Sequence, residues 1–277
     1  MNRPQQKTLL LLLTSSLLLS GCFENRRDTD KLCANNPALK CEELNTDDGQ
    51  CKITRTDLIW HRQEVLKSPT DLNKITEYHL TQKYQICLEV AAQIQAIDQT
   101  ELKQRRFNAL VNAGKNLERI STELAEYHTP EALYFLWSQN NDAGARREFL
   151  QMEGSSQLET ARLQYALATF YIDRDHNKTV TLLNHALELS HDPKTLNLEI
   201  IQSLASVNQF LHYKERAYIW AMVAKSFDIP IIEEGAFARL YPFNEEKLDQ
   251  LNQISEQVTD SINNGQYRAN LIPNYIK

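Results

Sequence analysis

Residues 161–189, ARLQYALATFYIDRDHNKTVTLLNHALEL, carry the pattern that decides the fold of this chain. Apolar, aromatic and small side chains recur at helical spacing in both halves of the stretch: Leu167, Ala168 and Tyr171 in the first, then Val180, Leu183 and Ala186 in the second. A polar segment with two aspartates separates the halves and is typical of a turn. The stretch therefore predicts two helices that form a hairpin and touch through small residues.

The same pattern recurs further along the chain. Pro193 ends the first unit, and Leu204-Ala205 stands about 37 residues after Leu167-Ala168. Small residues then share one helix face at Ala217, Ala221 and Ala224, and a weaker copy covers residues 84–98. This pattern resembles the tetratricopeptide repeat and its Sel-type relatives. The resemblance implies stacked helical hairpins with an extended concave surface.

The repeat is degenerate, which leaves a second interpretation open. Asn208 stands where the first unit has an aromatic residue, and the second-helix frame slips by one residue. An irregular helical bundle could contain the same alanines. In both cases the predicted fold is all-α, because no segment alternates apolar and polar residues for long enough to predict a strand.

Helix boundaries are marked by capping residues and prolines. Thr129-Pro130-Glu131 predicts a helix start, and Ser156 with Glu159 fits a capping box. We expect a helix from about 54 that ends before Pro69, another over 70–97, and a last one over 244–263 that ends at Gly265.

The N-terminus has the features of a secretory signal peptide. Residues 1–7 carry Arg3 and Lys7, a leucine-rich segment follows, and LSGC occupies positions 19–22. LSGC resembles the bacterial lipobox, which implies cleavage before Cys22 and lipid attachment to that residue. Phe23 follows Cys22 where an aspartate would favour inner-membrane retention, so the resemblance implies an outer-membrane anchor that faces the periplasm.

Four cysteines remain after Cys22: Cys33, Cys41, Cys51 and Cys87. An even number in an oxidising compartment predicts two disulfides, and four cysteines allow three connectivities. We favour Cys33–Cys41, which closes a short loop, and Cys51–Cys87, which ties the N-terminal region to a helix. The spacings match no metal-binding pattern, so we expect no metal site there.

Composition and charge exclude several classes of function. The chain has only 7 glycines in 277 residues, and it contains no Gly-rich phosphate loop, no GxSxG and no HExxH. The formal net charge is −6, and removing residues 1–21 with their two basic residues makes it −8. An acidic chain is a poor match for nucleic acid, so we expect no nucleic-acid partner. Because the chain lacks these motifs, we also predict no cofactor.

Further motifs resemble an uncharacterised family of Gram-negative bacterial lipoproteins. They are LSGC, Cys33 to Cys41 with Pro37 between them, DGQC at 48–51 and RTDLIWHR at 55–62. The resemblance implies membership of that family and carries no activity with it.

The expected organisation has four parts. Residues 1–21 are a signal peptide that is removed, 22–53 a lipidated tether with an irregular cap held by disulfides, and 54–265 a helical repeat-like domain. The remaining segment, 266–277, is expected to be a loosely held tail.

Six residues are candidates for a binding groove: Trp60, His61, Tyr134, Trp137, Tyr218 and Trp220. The competing interpretation places the aromatic residues in the core and pairs His61 with Asp57 at i, i+4 spacing. Asp173, Asp175 and His176 supply too few ligands for a predicted metal site. The doublets Arg105-Arg106 and Arg146-Arg147 are expected on solvated faces.

The sequence favours a non-catalytic scaffold that is anchored to the envelope and binds a protein or peptide, because stacked hairpins present an open surface. The alternatives are an enzyme or its accessory subunit, and a lipoprotein that binds a small ligand. An enclosed pocket with converging polar groups would favour these alternatives. No catalytic residue can be assigned from the order of residues along the chain.

Overall fold

The computed structural model describes residues 28–94, 100–230 and 236–277, and this part of the chain is all-α without a strand. The predicted signal peptide and Cys22 lie outside the described residues. The chain divides into two compact units, with the boundary between Leu124 and Ala125, inside the segment 54–265. None of the described helices is long and apolar enough to span a membrane.

Unit 1, which ends at Leu124, is a three-helix assembly with a small cap. Helices α2 and α3 pack together, and α3 and α4 form a long antiparallel hairpin. The cap contains the short helix α1 and two 3-10 turns, Pro37–Leu39 and Cys41–Glu43. The helices are α1 Thr29–Asn35, α2 Lys52–Lys67, α3 Asp71–Gln93 and α4 Thr100–Leu124.

Unit 2 consists of successive helix pairs. Helix α5 pairs with α6, α7 with α8, and α9 with α10, and α12 packs on α10. The helices are α5 Pro130–Asn140, α6 Ala143–Gln151, α7 Ala161–Tyr171, α8 His176–Glu188, α9 Glu199–Phe210, α10 Lys214–Ser226, α11 Phe237–Leu240 and α12 Glu245–Asn263.

The two predicted disulfides are present. Cys33 is bonded to Cys41, and Cys51 to Cys87, which joins the cap to α3. The cap is less irregular than predicted, because the Asp28 carboxylate accepts a hydrogen bond from the Lys31 backbone N–H at 2.9 Å and starts α1. Buried cap leucines then pack on α2 and α3.

The predicted hairpins are confirmed as helix pairs. The repeated small and apolar residues are buried in α7 to α10: Leu167, Ala168, Leu183, Ala186, Leu204, Ala205, Ala217, Ala221 and Ala224. Each alanine lets the partner helix approach closely, as the pattern required. Kinship with tetratricopeptide or Sel-type repeats stays a prediction.

Most of the predicted helix boundaries are confirmed, and one is wrong. Thr129 caps α5 through a hydrogen bond from the Ala132 N–H at 3.3 Å. Ser156, however, does not begin an α-helix, because residues 156–158 form a 3-10 turn that buries Leu158. Thr160 caps the following helix instead, through the Leu163 N–H at 3.3 Å.

The C-terminal segment is packed, which corrects the expectation of a loosely held tail. Tyr267, Ile272 and Ile276 are buried in the core of unit 2. The Ala269 N–H donates to Glu188 Oε1 at 2.8 Å, and the Lys277 carbonyl accepts from the Glu215 N–H at 2.7 Å. The segment contains no periodic apolar pattern, so this packing could not be predicted from the sequence.

Gly265 allows the segment to turn back on unit 2. Its φ is +65°, and a Cβ at this position would lie 2.1 Å from the His191 carbonyl oxygen. Both the left-handed backbone and the close approach require glycine. The predicted helix end at Gly265 is therefore confirmed.

Candidate functional site

A buried polar network, here called the cap clamp, joins the cap of unit 1 to α2, α3 and α4. It consists of Asn45, Asp48, Arg55, Tyr84 and Arg106. Arg106 donates to both carboxylate oxygens of Asp48, from Nε at 2.5 Å and from Nη2 at 3.2 Å. Arg55 donates from Nη2 to the Asp48 carbonyl at 2.9 Å, and the Asn45 N–H donates to the Tyr84 hydroxyl at 3.0 Å.

The cap clamp explains two of the sequence motifs. Asp48 begins DGQC and Arg55 begins RTDLIWHR, and the two residues meet in this network. The hydrogen bond from Arg106 lowers the pKa of Asp48 to about 2, so its carboxylate stays charged. Arg106 is buried rather than solvated as predicted, because Asp48, 58 residues earlier, compensates its charge. Arg105 is exposed as expected.

Unit 1 also contains a basic pocket of about 460 Å³, formed where the cap meets α2, α3 and α4. Exposed Leu66 and Lys40 lie at its border, so it opens to solvent. Its volume is in the range of sites that hold small ligands or the end of a peptide. The lining residues are Ala38, Leu39, Lys40, Arg62, Val65, Leu66, Pro69, Lys74, Glu77, Asn116, Arg119 and Glu123.

Arg62 is the most deeply buried cation of the basic pocket, with 7% of its side chain exposed. Its Nη1 donates to the Leu39 carbonyl at 3.0 Å, and its Nε lies 3.3 Å from Glu77 Oε1 without hydrogen-bond geometry. Within the described residues, Nε and Nη2 have no hydrogen-bond partner. Burial lowers the pKa of Arg62, and the Glu77 charge opposes this effect. Buried, unused donors are uncommon and costly.

Each guanidinium nitrogen of Arg119, by contrast, donates a hydrogen bond. Nη2 donates to Glu77 Oε1 at 3.1 Å, Nη1 to Glu123 Oε1 at 2.6 Å, and Nε to Asn116 Oδ1 at 3.3 Å. Burial alone would lower the pKa of Arg119, but the Glu123 and Glu77 carboxylates raise it. Lys74 also donates to Glu123. These contacts fix the geometry of the pocket wall.

The basic pocket carries an excess of positive charge on an acidic chain. Four cations line it, Lys40, Arg62, Lys74 and Arg119, together with two carboxylates. A third carboxylate, Glu43, lies 3.8 Å from Lys40. The four cations and three carboxylates therefore leave a net charge of +1 here, although each cation lies near a carboxylate and the whole chain has a formal charge of −6.

In unit 2 the half-buried rings of Tyr134, Trp137, Phe170 and Tyr171 form a second surface, here called the aromatic face. The Trp137 ring lies 5.7 Å from Tyr134 and 5.8 Å from Phe170, between centroids. Fully buried Phe149 lies beneath the first two rings. The rings come from α5 and α7, the first helices of successive pairs.

Two cations cover one end of the aromatic face. Arg174 lies 4.2 Å above the Phe170 ring, and Lys178 lies 3.8 Å above the Tyr171 ring. Lys178 also pairs with Glu153, which accepts a hydrogen bond from the Tyr171 hydroxyl at 2.6 Å. The face is thus apolar at Trp137 and charged at its border.

The six predicted groove residues do not line one groove. Tyr218 and Trp220 are 6% and 1% exposed and belong to the core of unit 2, so the groove prediction is wrong for them. The Trp220 edge only borders a cavity of about 210 Å³. Tyr134 and Trp137 do share a surface, the aromatic face.

The remaining two candidates, Trp60 and His61, belong to unit 1. The Trp60 Nε1–H donates to Thr29 Oγ1 at 3.1 Å and holds α1. His61 Nε2 lies 2.7 Å from the Asn73 carbonyl, so its observed partner is on α3 rather than Asp57 as predicted. Both side chains therefore tie elements of unit 1 together.

The polar turn between α7 and α8 has a structural role. The Asp175 carboxylate accepts from the Lys178 N–H at 2.9 Å and caps α8. Among the described residues, no three acidic, histidine or cysteine side chains group as metal ligands.

The residues of the basic pocket were not singled out from the sequence, although a signal exists. Arg62 lies on the buried stripe of α2, at helical spacing from Leu58 and Val65. Glu77 lies on the corresponding stripe of α3. A charged residue at a core position of an amphipathic helix indicates a buried partner of opposite charge, and Arg62 and Glu77 both show this signal.

The family comparison gives a match without a function. Residues 19–222 match the family described as Protein of unknown function (DUF2989), a span that contains the whole cap clamp, the basic pocket and the aromatic face. No curated protein and no solved structure matches the chain. Because the matched segment covers well over half of the sequence, the chain belongs to the DUF2989 family.

Proposed function

We propose that the protein is a lipid-anchored, non-catalytic interaction module of the bacterial envelope that binds a protein or peptide partner. Cys22 carries the lipid, and the anchor lies in the outer membrane with the helical units in the periplasm. The proposal for the anchor rests on the N-terminal sequence, and the proposal for binding rests on the aromatic face.

The observation that supports partner binding is the half-exposed position of Tyr134 and Trp137, which lie one turn apart on α5. Tyrosine and tryptophan are enriched at protein interfaces because they bury a large area and lose little conformational freedom. Phe149 supports both rings from below, so the surface is formed before a partner arrives.

The titratable groups near the aromatic face favour binding over proton transfer. Burial raises the pKa of Tyr134, and hydrogen bonds with Glu153 and Tyr171 raise the pKa of Lys178. Both side chains stay protonated at neutral pH. A general acid or base would instead need a pKa close to the working pH.

Photo-crosslinking in intact cells tests the binding proposal. A photo-reactive amino acid in place of Trp137 should capture one defined envelope protein, and Tyr134→Ala in the same chain should lower the yield several-fold. The matched control is the same amino acid at Gln139, an exposed position about 200° around α5 from Trp137. Equal yields from the two positions, or none from position 137, would contradict the proposal.

Metabolic labelling with a radioactive fatty acid tests the anchor. Wild-type protein should be labelled and should fractionate with the outer membrane, whereas a Cys22→Ser variant should lack the label. The Cys33→Ser variant is the control and should keep it. Label that persists without Cys22 would rule out the lipobox interpretation.

A further inference from the structure

We propose that the basic pocket of unit 1 is a binding site for a singly charged carboxylate that is attached to an apolar group, as at the C-terminal residue of a peptide. The site lies in unit 1 and uses no residue of the aromatic face. It therefore goes beyond the proposed function and can be tested separately.

The first argument is the donor capacity left at Arg62. Its Nε and Nη2 are buried without a hydrogen-bond partner among the described residues, while the Leu39 carbonyl holds Nη1 at 3.0 Å. Nε and Nη2 together form one edge of the planar guanidinium, and this edge matches the two oxygens of a carboxylate. An incoming carboxylate would accept from Nη2, share Nε with Glu77 Oε1, which lies 3.3 Å away, and lower the desolvation cost of these donors.

The second argument is the charge balance. The four cations of the pocket face Glu77 and Glu123 in its wall and Glu43 beside Lys40, so the site carries a net charge of +1. A single negative charge neutralises the site. A doubly charged phosphate would add a charge close to two fixed carboxylates, which repel it.

The third argument is the apolar part of the wall. Leu39 and Val65, which line the pocket, are buried, whereas Pro69 is exposed and Leu66 at the border is 52% exposed. An apolar group next to the carboxylate would cover Leu66 and Pro69 and gain the usual energy of apolar burial. A carboxylate alone fills only part of about 460 Å³.

Calorimetric titration of the purified chain with four small probes tests the ligand chemistry. N-acetyl-leucine should bind, and N-acetyl-leucinamide, which lacks only the charge, should bind weaker by about tenfold or more. Inorganic phosphate should not compete. Equal binding of the acid and the amide, or competition by phosphate, would overturn the proposal.

The fourth probe, 4-methylpentanoate, distinguishes two sources of the same chemistry. It has the carboxylate and the apolar group but no peptide bond. If it binds as tightly as N-acetyl-leucine, the site binds simple carboxylic acids. If it binds several-fold more weakly, the site recognises the C-terminal end of a peptide. Both outcomes support the carboxylate site.

Variants identify the pocket as the place of binding. Lys40→Gln changes an exposed side chain and should weaken N-acetyl-leucine by about threefold without loss of folding. Arg62→Met removes the unused donors and should weaken binding by about tenfold or more. The matched control is Lys67→Gln on α2, an exposed residue outside the pocket, which should bind as wild type.

A stability readout keeps the test valid if Arg62→Met folds less well. N-acetyl-leucine should raise the melting temperature of the wild type and of Lys67→Gln, because a ligand that binds the folded state stabilises it. It should not raise the melting temperature of Arg62→Met. An equal rise in that variant would mean that the ligand binds elsewhere and would overturn the proposal.

Discussion

Unit 1 and unit 2 are both all-α, but different interactions stabilise the inside of each unit. Unit 1 contains both disulfides and buries charged side chains, including Arg62, Glu77 and Arg106. In the described part of unit 2 the ion pairs lie nearer the surface, as between Lys178 and Glu153, and the core consists of aliphatic, aromatic and alanine side chains.

This difference teaches that an all-α fold can obtain its specificity in two ways. In unit 2, small residues set how closely two helices approach, and an apolar core supplies the stability. In unit 1, each buried charge must pair with a particular opposite charge, because an unpaired buried charge costs several kcal/mol. We therefore expect reductant and acid to lower the stability of unit 1, and larger core side chains to lower the stability of unit 2.

The largest expected effect comes from breaking the cap clamp. Asp48→Ala leaves the Arg106 guanidinium buried without its carboxylate, which should cost about 3–5 kcal/mol of the stability of unit 1. Denaturant unfolding followed by hydrogen exchange would locate the loss. The control, Asp47→Ala at an exposed neighbour, should change stability by less than about 0.5 kcal/mol. Equal effects would show that the clamp is not a stabilising unit.

The next effect should come from the disulfide that joins the cap to α3. Replacing both Cys51 and Cys87 by alanine opens a loop with a sequence separation of 36 and should cost unit 1 about 2–4 kcal/mol. Unit 2 contains no cysteine and should unfold as before. Fluorescence of Trp60 would report unit 1, and Trp220 would report unit 2. A parallel loss in unit 2 would refute this separation.

A smaller effect, confined to unit 2, should follow from Ala221→Leu. Ala221 is 1% exposed in the core of unit 2, so a larger side chain must push helices apart, at a cost of roughly 1–3 kcal/mol. Helical circular dichroism should be kept at low temperature while the melting midpoint of unit 2 falls. Ala143→Leu, at an exposed helical position, is the matched control. An unchanged midpoint would argue against tightly packed hairpins.

The smallest effect should be the response of unit 1 to mild acid. The pKa of Asp48 is lowered to about 2 when folded, so its contribution to stability is complete above its ordinary value of 3.8 and is lost as the pH falls toward 2. Between pH 7 and pH 3 this loss amounts to about 1 kcal/mol. Asp48→Asn should remove that part of the pH dependence, which equilibrium unfolding at several pH values would measure. An unchanged slope would assign the acid response to other groups.

The parts that could be predicted from the sequence are those encoded over short distances. The disulfide partners, the cap at Thr129 and the alanines of the hairpins all follow from spacing and local chemistry. The basic pocket could not be assembled in this way, since Arg119 reaches Glu77 across 42 residues. A helical pattern shows that Arg62 faces inward, but it does not show which carboxylate it meets there.

The prediction for the C-terminal segment was wrong for a related reason. Its residues Tyr267 and Ile276 have no local periodicity. Tyr267 packs against Trp220, 47 residues earlier, and the Ile276 carbonyl accepts from Arg216, 60 residues earlier. The aromatic face was half predicted, because Tyr134 and Trp137 share one helix, whereas Phe170 comes from the next pair. Contacts within one helix are visible in the sequence, and contacts between pairs need the fold.

The order of the disulfides along the chain has a consequence for how the protein reaches its oxidised form. Cys33 joins the next cysteine, Cys41, and Cys51 joins the next one, Cys87. If Cys22 carries the lipid, as proposed, an oxidase that pairs the remaining thiols in chain order would form both native bonds directly, and no exchange of wrong pairs would be needed. The chain should mature with an oxidase alone, and removal of a disulfide isomerase should not slow its maturation.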